Sequence, residues 1–238
     1  MRYRLIILVI MFAIAGPLWV LLSGQVDLKS HWRQADRART GLAADPEDFQ
    51  PALIQLYAAR AYNWRGAMSV HMWFATKAPS AKSYTVYQVL GWNAYYGRSV
   101  VDIKQGMPDH KWFNHPPWIV GELKGLAAEK AIKDLKQAVK SYPYADLYQM
   151  WPGPNSNTFI AYVLRRIPNW PVAMPANAIG KDFIAFDRIF AKTPSKTGVQ
   201  WSLWGLMGVS ISSMEGLEIN LFGLTYGLDW QHPAIKLP

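Results

Sequence analysis

The longest apolar stretch of the chain lies at its N-terminus. Residues 5–22 carry no charge, and Arg2 and Arg4 precede them. At about 1.5 Å per residue, a helix of roughly 18 residues is just long enough to cross the hydrocarbon layer of a membrane. We therefore predict a transmembrane signal anchor within residues 1–24, with a cleaved signal peptide as the alternative.

A polar segment separates this stretch from the rest of the chain. Residues 25–50 are rich in charged side chains, and we interpret them as a juxtamembrane linker. Residues 51–238 are predicted to form a single domain. Basic residues on the two sides of the apolar stretch favour opposite orientations in the membrane. Because the tail before the anchor is very short, we expect the domain on the exported side.

A predicted β-hairpin is the clearest pattern in the domain. Residues 68–76 and 84–90 are rich in β-branched and aromatic side chains, and turn-forming residues separate them. We expect the two strands to pair in antiparallel fashion. The preceding segment, residues 52–61, fits either a short helix or a strand, and its periodicity does not decide between them.

Two helices are predicted further along. Residues 122–140 place apolar side chains on one side and lysines on the other, and residues 157–167 form a second helix that Pro168 ends. The predicted fold class is therefore α+β, with a small antiparallel sheet and packed helices.

The C-terminal segment, residues 199–230, is apolar and punctuated by glycine. Its two apolar halves flank Glu215 and Glu218, and each is too short to span a bilayer. We predict two β-strands, joined near residues 212–216 and packed on the main sheet. The two glutamates are expected in solvent at the turn, and a pair of catalytic carboxylates is the alternative.

Composition excludes several classes of function. The chain has 25 Lys and Arg against 16 Asp and Glu, a net charge of +9, and 51% hydrophobic residues, so it is not a disordered chain. It contains no cysteine, which excludes disulfides, thiolate zinc sites and a cysteine nucleophile. Phosphate-loop and dinucleotide-binding motifs are absent from the sequence, and the aromatic residues do not follow a nucleic-acid-binding pattern. We expect no cofactor and no nucleic-acid partner.

The histidines of one loop are weak candidates for a metal site. His110, His115 and Asp109 lie in a proline-rich stretch without a recognised metal-ligand spacing. Surface histidines are the better interpretation, so we predict no metal site.

One motif, residues 151–159 (WPGPNSNTF), carries candidate chemistry. A rigid approach leads into a helix N-terminus, where free amide groups stabilise an oxyanion and activate a nucleophile. Asn155 and Ser156 are also preferred capping residues, so a cap alone explains them. As a catalytic site, Ser156 would need a base and an orienting group, which His71 and Gln88 on the two predicted strands supply.

The order of these three residues resembles the circularly permuted papain-like superfamily, which includes lecithin retinol acyltransferase. There, a strand histidine and a strand polar residue precede a nucleophilic cysteine in an Asn-Cys-x-x-Phe setting, and here Ser156 stands at the cysteine position. The resemblance implies a permuted papain-like layout, with Ser156 as nucleophile, His71 as base and Gln88 as orienting group. The residues expected around the oxyanion are Asn155, Asn157 and Thr158.

The chain also resembles an uncharacterised bacterial family of membrane-anchored proteins, from about Leu53 to the C-terminus. The resemblance rests on short motifs: His71-Met72-Trp73, Gly91-Trp92, Tyr142-Pro143-Tyr144, residues 151–159, residues 178–182 (AIGKD) and residues 215–218 (EGLE). It implies a single-pass protein of the bacterial inner membrane and supplies no activity.

Two functions remain open from the sequence. The first is a membrane-anchored envelope hydrolase or acyltransferase that acts on amide or ester bonds through Ser156. Because a hydroxyl needs full help from a base, a non-catalytic binding or assembly protein on a papain-like frame is the alternative. A stripe of lysines on the first helix is either a solvated face or a contact for anionic lipid. The stripe consists of Lys130, Lys133, Lys136 and Lys140.

Overall fold

A computed structural model describes residue 11 and residues 14–238 of the chain. In this part the fold is α+β, and its strands are antiparallel. The first strands are β1 (Leu53–Arg60), β2 (Val70–Lys77), β3 (Thr85–Val89), β4 (Val101–Gln105) and β5 (Trp118–Lys124). The helices are α1 (Gly125–Lys140) and α2 (Ser156–Leu164), with short 3₁₀ turns at Asn63–Ala67 and Gly91–Tyr96. The later strands are β6 (Phe190–Lys192), β7 (Gly198–Leu203), β8 (Met207–Ser212), β9 (Gly216–Leu221), β10 (Leu224–Asp229) and β11 (Ala234–Lys236).

The first five strands form a sheet in the order β4-β3-β2-β1-β5. The predicted hairpin is confirmed, because β2 and β3 pair in antiparallel register with Phe74 opposite Tyr87. The segment that the sequence left open is strand β1. Side chains on both of its faces are buried, from Leu53 to Ala59. Burial on both faces replaces the polar–apolar alternation of a half-exposed strand with a continuous apolar run, which explains the ambiguous pattern.

The two faces of this sheet contact different parts of the chain. Val70, Met72 and Phe74 of β2 share the main core with α1 and α2. The intervening residues of β2 point to the opposite face, where Trp73 packs with Tyr57 of β1. Loop residues, including Met107 and Trp112, pack on that second face. The sheet therefore separates a helical layer from a layer of loops.

Both predicted helices are present with altered ends. Helix α1 begins at Gly125 rather than at residue 122, because residues 122–124 complete strand β5. Gly125 has a φ of 60°, a left-handed conformation that suits glycine at this abrupt change from strand to helix. Helix α2 ends at Leu164, three residues earlier than predicted, and lies almost wholly in the core.

The C-terminal prediction of two strands on the main sheet is wrong. Strands β7 to β11 occupy that region and form, with β6, a separate six-stranded sheet in the order β11-β10-β9-β8-β7-β6. Short turns around Gly205 and Gly223, which have φ values of 74° and 82°, divide each apolar half into further strands. The side chains of these strands alternate between a buried polar face and an exposed apolar face.

The predicted transmembrane anchor, residues 5–22, lies partly outside the described residues. Residues 14–22 are helical, and the side chains of Leu18, Trp19 and Leu22 on this segment are exposed. Among the helices of residue 11 and residues 14–238, none has the length and apolarity that crossing a membrane requires. The segment predicted as a linker contacts the body of the protein, where the Tyr62 hydroxyl donates to the carbonyl oxygen of Ser30.

Candidate functional site

Helix capping accounts for Asn155 in the WPGPNSNTF motif. Its side-chain oxygen accepts hydrogen bonds from the amides of Asn157 and Thr158, at 2.9 and 3.1 Å. The Thr158 hydroxyl in turn accepts from the Asn155 amide at 3.1 Å, which completes a capping box. Residues of the motif thus supply the hydrogen bonds that the amides of the first turn of α2 require.

The same motif joins the helix to two other segments. The Asn157 side-chain amide donates to the carbonyl oxygens of Val70 and Ile179, both at 2.9 Å. The Thr158 hydroxyl donates to the carbonyl oxygen of Gly180 at 2.8 Å. Gly180 has a φ of 97°, and a Cβ there would lie 2.2 Å from the Asn155 side-chain oxygen. These contacts pack the AIGKD segment against the motif, and they leave no room for a side chain at its glycine.

The cap also occupies the groups that an oxyanion would need. The amides of Asn157 and Thr158, predicted to face an oxyanion, already donate to Asn155. An oxyanion site requires donors aimed at the position where charge develops in the transition state. In this structure those two donors serve the helix instead.

The structure brings His71 and Gln88 together on the opposite side of the sheet. The side-chain oxygen of Gln88 lies 3.2 Å from His71 Nε2, and the Gln88 amide donates to the Asp102 carboxylate at 2.9 Å. Because the amide group of Gln88 is used by Asp102, its oxygen must accept from a protonated Nε2 of His71. Burial lowers the pKa of His71 to about 4, so the imidazole is neutral at pH 7.

Aromatic rings enclose this imidazole. The ring of Trp112 stacks on His71 with centroids 3.7 Å apart, and Trp73 stacks at 5.7 Å. Trp112 stacks in turn on Trp92, whose side chain is exposed. The guanidinium of Arg37 lies over the neighbouring Phe113 ring, 4.4 Å from its centroid. His71 thus lies in an aromatic stack that reaches the protein surface at Trp92.

Ser156 and His71 are not brought together. Val70 and Met72, the neighbours of His71 in β2, face the core that α2 helps to form. His71 faces the other side of the sheet, with Trp73 and Trp112. Within the described residues Ser156 makes no hydrogen bond to His71, which lies on the face of the sheet opposite to the one that packs on α2. A serine nucleophile paired with this base is not assembled in the structure.

The sequence missed a buried ionic network beneath the six-stranded sheet. Lys181 donates to the carboxylate of Glu218 at 2.7 Å, and Lys236 reaches the other oxygen of that group at 3.0 Å. Burial opposes the charge on Glu218, but the two lysines dominate and lower its pKa. Burial raises the pKa of the neighbouring Asp182, which accepts from Gln200 and Asn220.

The expectation that Glu215 and Glu218 lie in solvent is therefore wrong. Both glutamates are buried. The amide and hydroxyl of Ser195 and the hydroxyl of Ser212 donate to the Glu215 carboxylate. Buried carboxylates require such partners, because an unpaired charge is costly away from water. The sequence signal was the alternation of Glu218 and Asn220 with apolar residues, which marked one face of a strand.

The loop histidines and the lysine stripe, which were the remaining candidates from the sequence, do not join either of these clusters. No cluster of three or more His, Cys, Asp or Glu side chains suited to a metal occurs in the described part of the chain. His110 is exposed, but His115 is buried and accepts a hydrogen bond from the Asp27 amide. All four lysines of the predicted stripe on α1 are exposed, namely Lys130, Lys133, Lys136 and Lys140.

Comparison with known proteins supplies a family and no activity. No curated protein and no solved structure matches the chain, so no comparison supports the papain-like layout expected from the motif. A family model described as a protein of unknown function (DUF3750) matches residues 51–183, which is more than half of the chain. The match covers the five-stranded sheet, both helices and the AIGKD segment, and it ends before the first strand of the six-stranded sheet. The chain belongs to this family of proteins of unknown function.

Proposed function

We propose that the protein is a membrane-associated binding or assembly protein that performs no serine-based catalysis. The observation that carries this proposal is that His71 lies on the face of the five-stranded sheet opposite to the face that packs on α2, the helix that Ser156 begins. A hydroxyl is a weak nucleophile at neutral pH, and without an adjacent base it is not activated. The amides predicted to stabilise an oxyanion are used by the helix cap.

Three of the four polar residues of the motif have a structural use instead. Asn155 caps α2, Asn157 fastens it to Val70, and Thr158 fastens it to Gly180. These hydrogen bonds join a helix, a strand and a loop, which is a structural role that requires no ligand. The contacts of the motif therefore support an architectural role rather than a reaction.

The N-terminal segment supports association with a membrane. Residues 5–22 are uncharged, and the part of this segment that the structure describes exposes Leu18, Trp19 and Leu22. Trp19 is 68% and Leu22 is 77% exposed, and apolar side chains exposed to this extent gain free energy by leaving water. A bilayer is the surrounding that suits a segment of this length and composition.

Fractionation of cells tests the membrane association. The full chain is expected in the membrane fraction after a carbonate wash, and the double variant Ile14→Glu/Leu18→Glu is expected to be released. The matched control, Gln34→Glu/Gln137→Glu, adds the same charge at two exposed polar positions and should remain with the membrane. Release of the unmodified chain by the wash would contradict the proposal.

A fluorophosphonate probe tests the absence of serine catalysis. The purified full chain is expected to show no labelling that depends on Ser156, so the wild type and Ser156→Ala should give equal signals. Labelling that disappears both in Ser156→Ala and in His71→Gln would show an activated serine, and would restore the hydrolase or acyltransferase hypothesis.

A further inference from the structure

The outer face of the six-stranded sheet is apolar along its whole width. Strand register places alternate residues of the neighbouring strands on this face, so that Val209 lies between Trp201 and Ile219. The face is formed by Phe190, Val199, Trp201, Leu203, Met207, Val209, Ile211, Leu217, Ile219, Leu221, Leu224, Tyr226, Leu228 and Ile235, with Lys192 at one edge. Many of these side chains are exposed, including Val199 at 64% and Ile211 at 51%.

The orientation of the sheet is fixed by its inner face. Gln200 and Asn220 donate to Asp182, and Glu218 binds Lys181. Turning the sheet over would break all of these contacts and leave buried charges without partners, which costs several kcal/mol for each charge. The apolar side chains must therefore face outward, away from the rest of the chain.

An apolar surface of this extent needs a covering. Proteins that stay in water rarely expose continuous apolar patches larger than a few hundred Å², and larger patches mark contacts with proteins or membranes. The position of the N-terminal segment favours a membrane over a protein as the partner of this surface. Gly16 packs so closely on the C-terminal residues that a Cβ there would lie 2.6 Å from the carbonyl oxygen of Pro238. Those residues follow β11, the edge strand of the six-stranded sheet.

We propose that this outer face docks on the apolar layer of a lipid bilayer, beside the N-terminal segment. This inference rests on the proposed membrane association and adds a second contact surface to it. When the N-terminal segment lies in the bilayer, its contact with Pro238 brings the edge of the sheet to the membrane. Aromatic side chains are exposed at both ends of the strands, Trp204 and Phe222 in turns at one end and Trp230 at the other. Aromatic residues at such positions suit the boundary between water and hydrocarbon.

The charge on this face agrees with a bilayer. Lys192 is its charged residue, at the edge formed by β6, and the alternating positions on the outer face of β7 to β10 carry neither acidic nor basic side chains. A hydrocarbon layer accepts such a surface without leaving a charge buried. The backbone groups of the inner strands are paired within the sheet, so docking one face removes few unsatisfied polar groups from water.

The absence of cysteine makes a direct test possible. Single cysteines are introduced into the full chain at Ile211 and Ile219, labelled with an environment-sensitive fluorophore and reconstituted into lipid vesicles. Leu18→Cys reports on the N-terminal segment, and Lys133→Cys on exposed α1 is the matched aqueous control. The labels at Ile211 and Ile219 should shift to the blue and be quenched by nitroxide lipids, while the label at Lys133 should be quenched by iodide in water.

The other possible results contradict the docking of the sheet on lipid, and one of them also contradicts the proposed membrane association. If the label at Leu18 is quenched by lipid but those at Ile211 and Ile219 are quenched by iodide, the sheet does not dock and only this inference fails. If the label at Leu18 is also quenched by iodide, the proposed membrane association fails as well. Labels at Ile211 and Ile219 that are shielded from both quenchers, and that cross-link between molecules, would show that a second copy covers the face, which overturns docking on lipid. Unchanged circular dichroism of the labelled variants establishes that they are folded.

Discussion

The two sheets of this protein bury opposite kinds of side chain. In the five-stranded sheet, Leu56 and Phe74 face one apolar core and Tyr57 faces another. In the six-stranded sheet, the buried face carries polar groups such as Gln200 and Glu218, and the apolar face is exposed. The first sheet is held by the hydrophobic effect and close packing. The second is held to the rest of the chain by hydrogen bonds and ion pairs.

The difference shows what an alternation of polar and apolar residues along a strand can predict. It indicates that the two faces of the strand have different surroundings, but not which face is exposed to solvent. A polar face is usually read as the solvent face, yet here it contacts Lys181 and Asp182 of the AIGKD segment. Those two residues lie at the end of the region that the family model matches, and the sheet lies beyond it. The buried network of Lys181, Asp182 and Glu218 therefore connects the region that the family model matches to the C-terminal sheet.

Breaking this network is expected to have the largest effect. Glu218→Gln leaves the buried Lys181 and the partly buried Lys236 beside a neutral amide, and removal of one partner from a buried ion pair costs about 3–5 kcal/mol of unfolding free energy. Urea denaturation of the two proteins measures this difference.

The matched control for Glu218→Gln is Asp187→Asn, which removes a carboxylate from the exposed pair with Arg188. It should leave the denaturation midpoint unchanged within error, because exposed ion pairs contribute little. An equally small effect of Glu218→Gln would contradict the view that this network holds the second sheet.

The second sheet was only partly predictable from the sequence. Its strands alternate polar and apolar residues, as in Met207–Ser212 and Gly216–Leu221, so its β character was visible. The number of strands was underestimated, because the turns at Gly205 and Gly223 interrupt apolar runs that look continuous. Its orientation was not visible, since it depends on Lys181 and Asp182, which are distant in the sequence.

A truncation on each sheet should separate their energetics. Leu56→Ala removes a fully buried side chain from the first core and is expected to cost about 2–5 kcal/mol of unfolding free energy. Ile211→Ala, on the exposed face of the second sheet, should cost less than about 1 kcal/mol in detergent-free solution. Urea denaturation of both variants gives the comparison. Equal costs would show that the outer face is covered by protein even without lipid.

The candidate site was predicted in its parts but not in its assembly. The contact of His71 with Gln88 and the capping role of Asn155 both follow from local patterns, and both are present. Whether His71 shares a face with Ser156 depends on which side of the sheet receives α2. No local sequence pattern predicts which face of the sheet packs on α2. Asp102 was missed for the same reason, because it meets Gln88 only through the pairing of β3 with β4.

The pH dependence of stability distinguishes the buried ionisable groups of the two sheets. His71, in the first sheet, is buried as a neutral ring, and burial lowers its pKa from 6.5 to about 4. Between these two values the unfolded chain binds a proton on His71 that the folded chain does not, so stability falls as the pH is lowered through this window. The contribution reaches roughly 3 kcal/mol at its low-pH end, from about 1.4 kcal/mol for each pKa unit.

Urea denaturation of the wild type and His71→Gln from pH 7.5 to pH 4 measures this contribution as a difference of slopes. The variant keeps a side chain able to hydrogen-bond Gln88 but does not titrate, so its stability should decline less steeply below pH 6.5. Lys181 and Glu218 are present in both proteins and remain an ion pair. Burial opposes both charges, but Glu218 raises the pKa of Lys181 and Lys181 lowers the pKa of Glu218, so both groups stay charged. The buried His115 is common to both proteins as well and cancels in the comparison. Parallel pH profiles would mean that His71 is not held as a neutral, desolvated base, and that the aromatic stack around it is open to water.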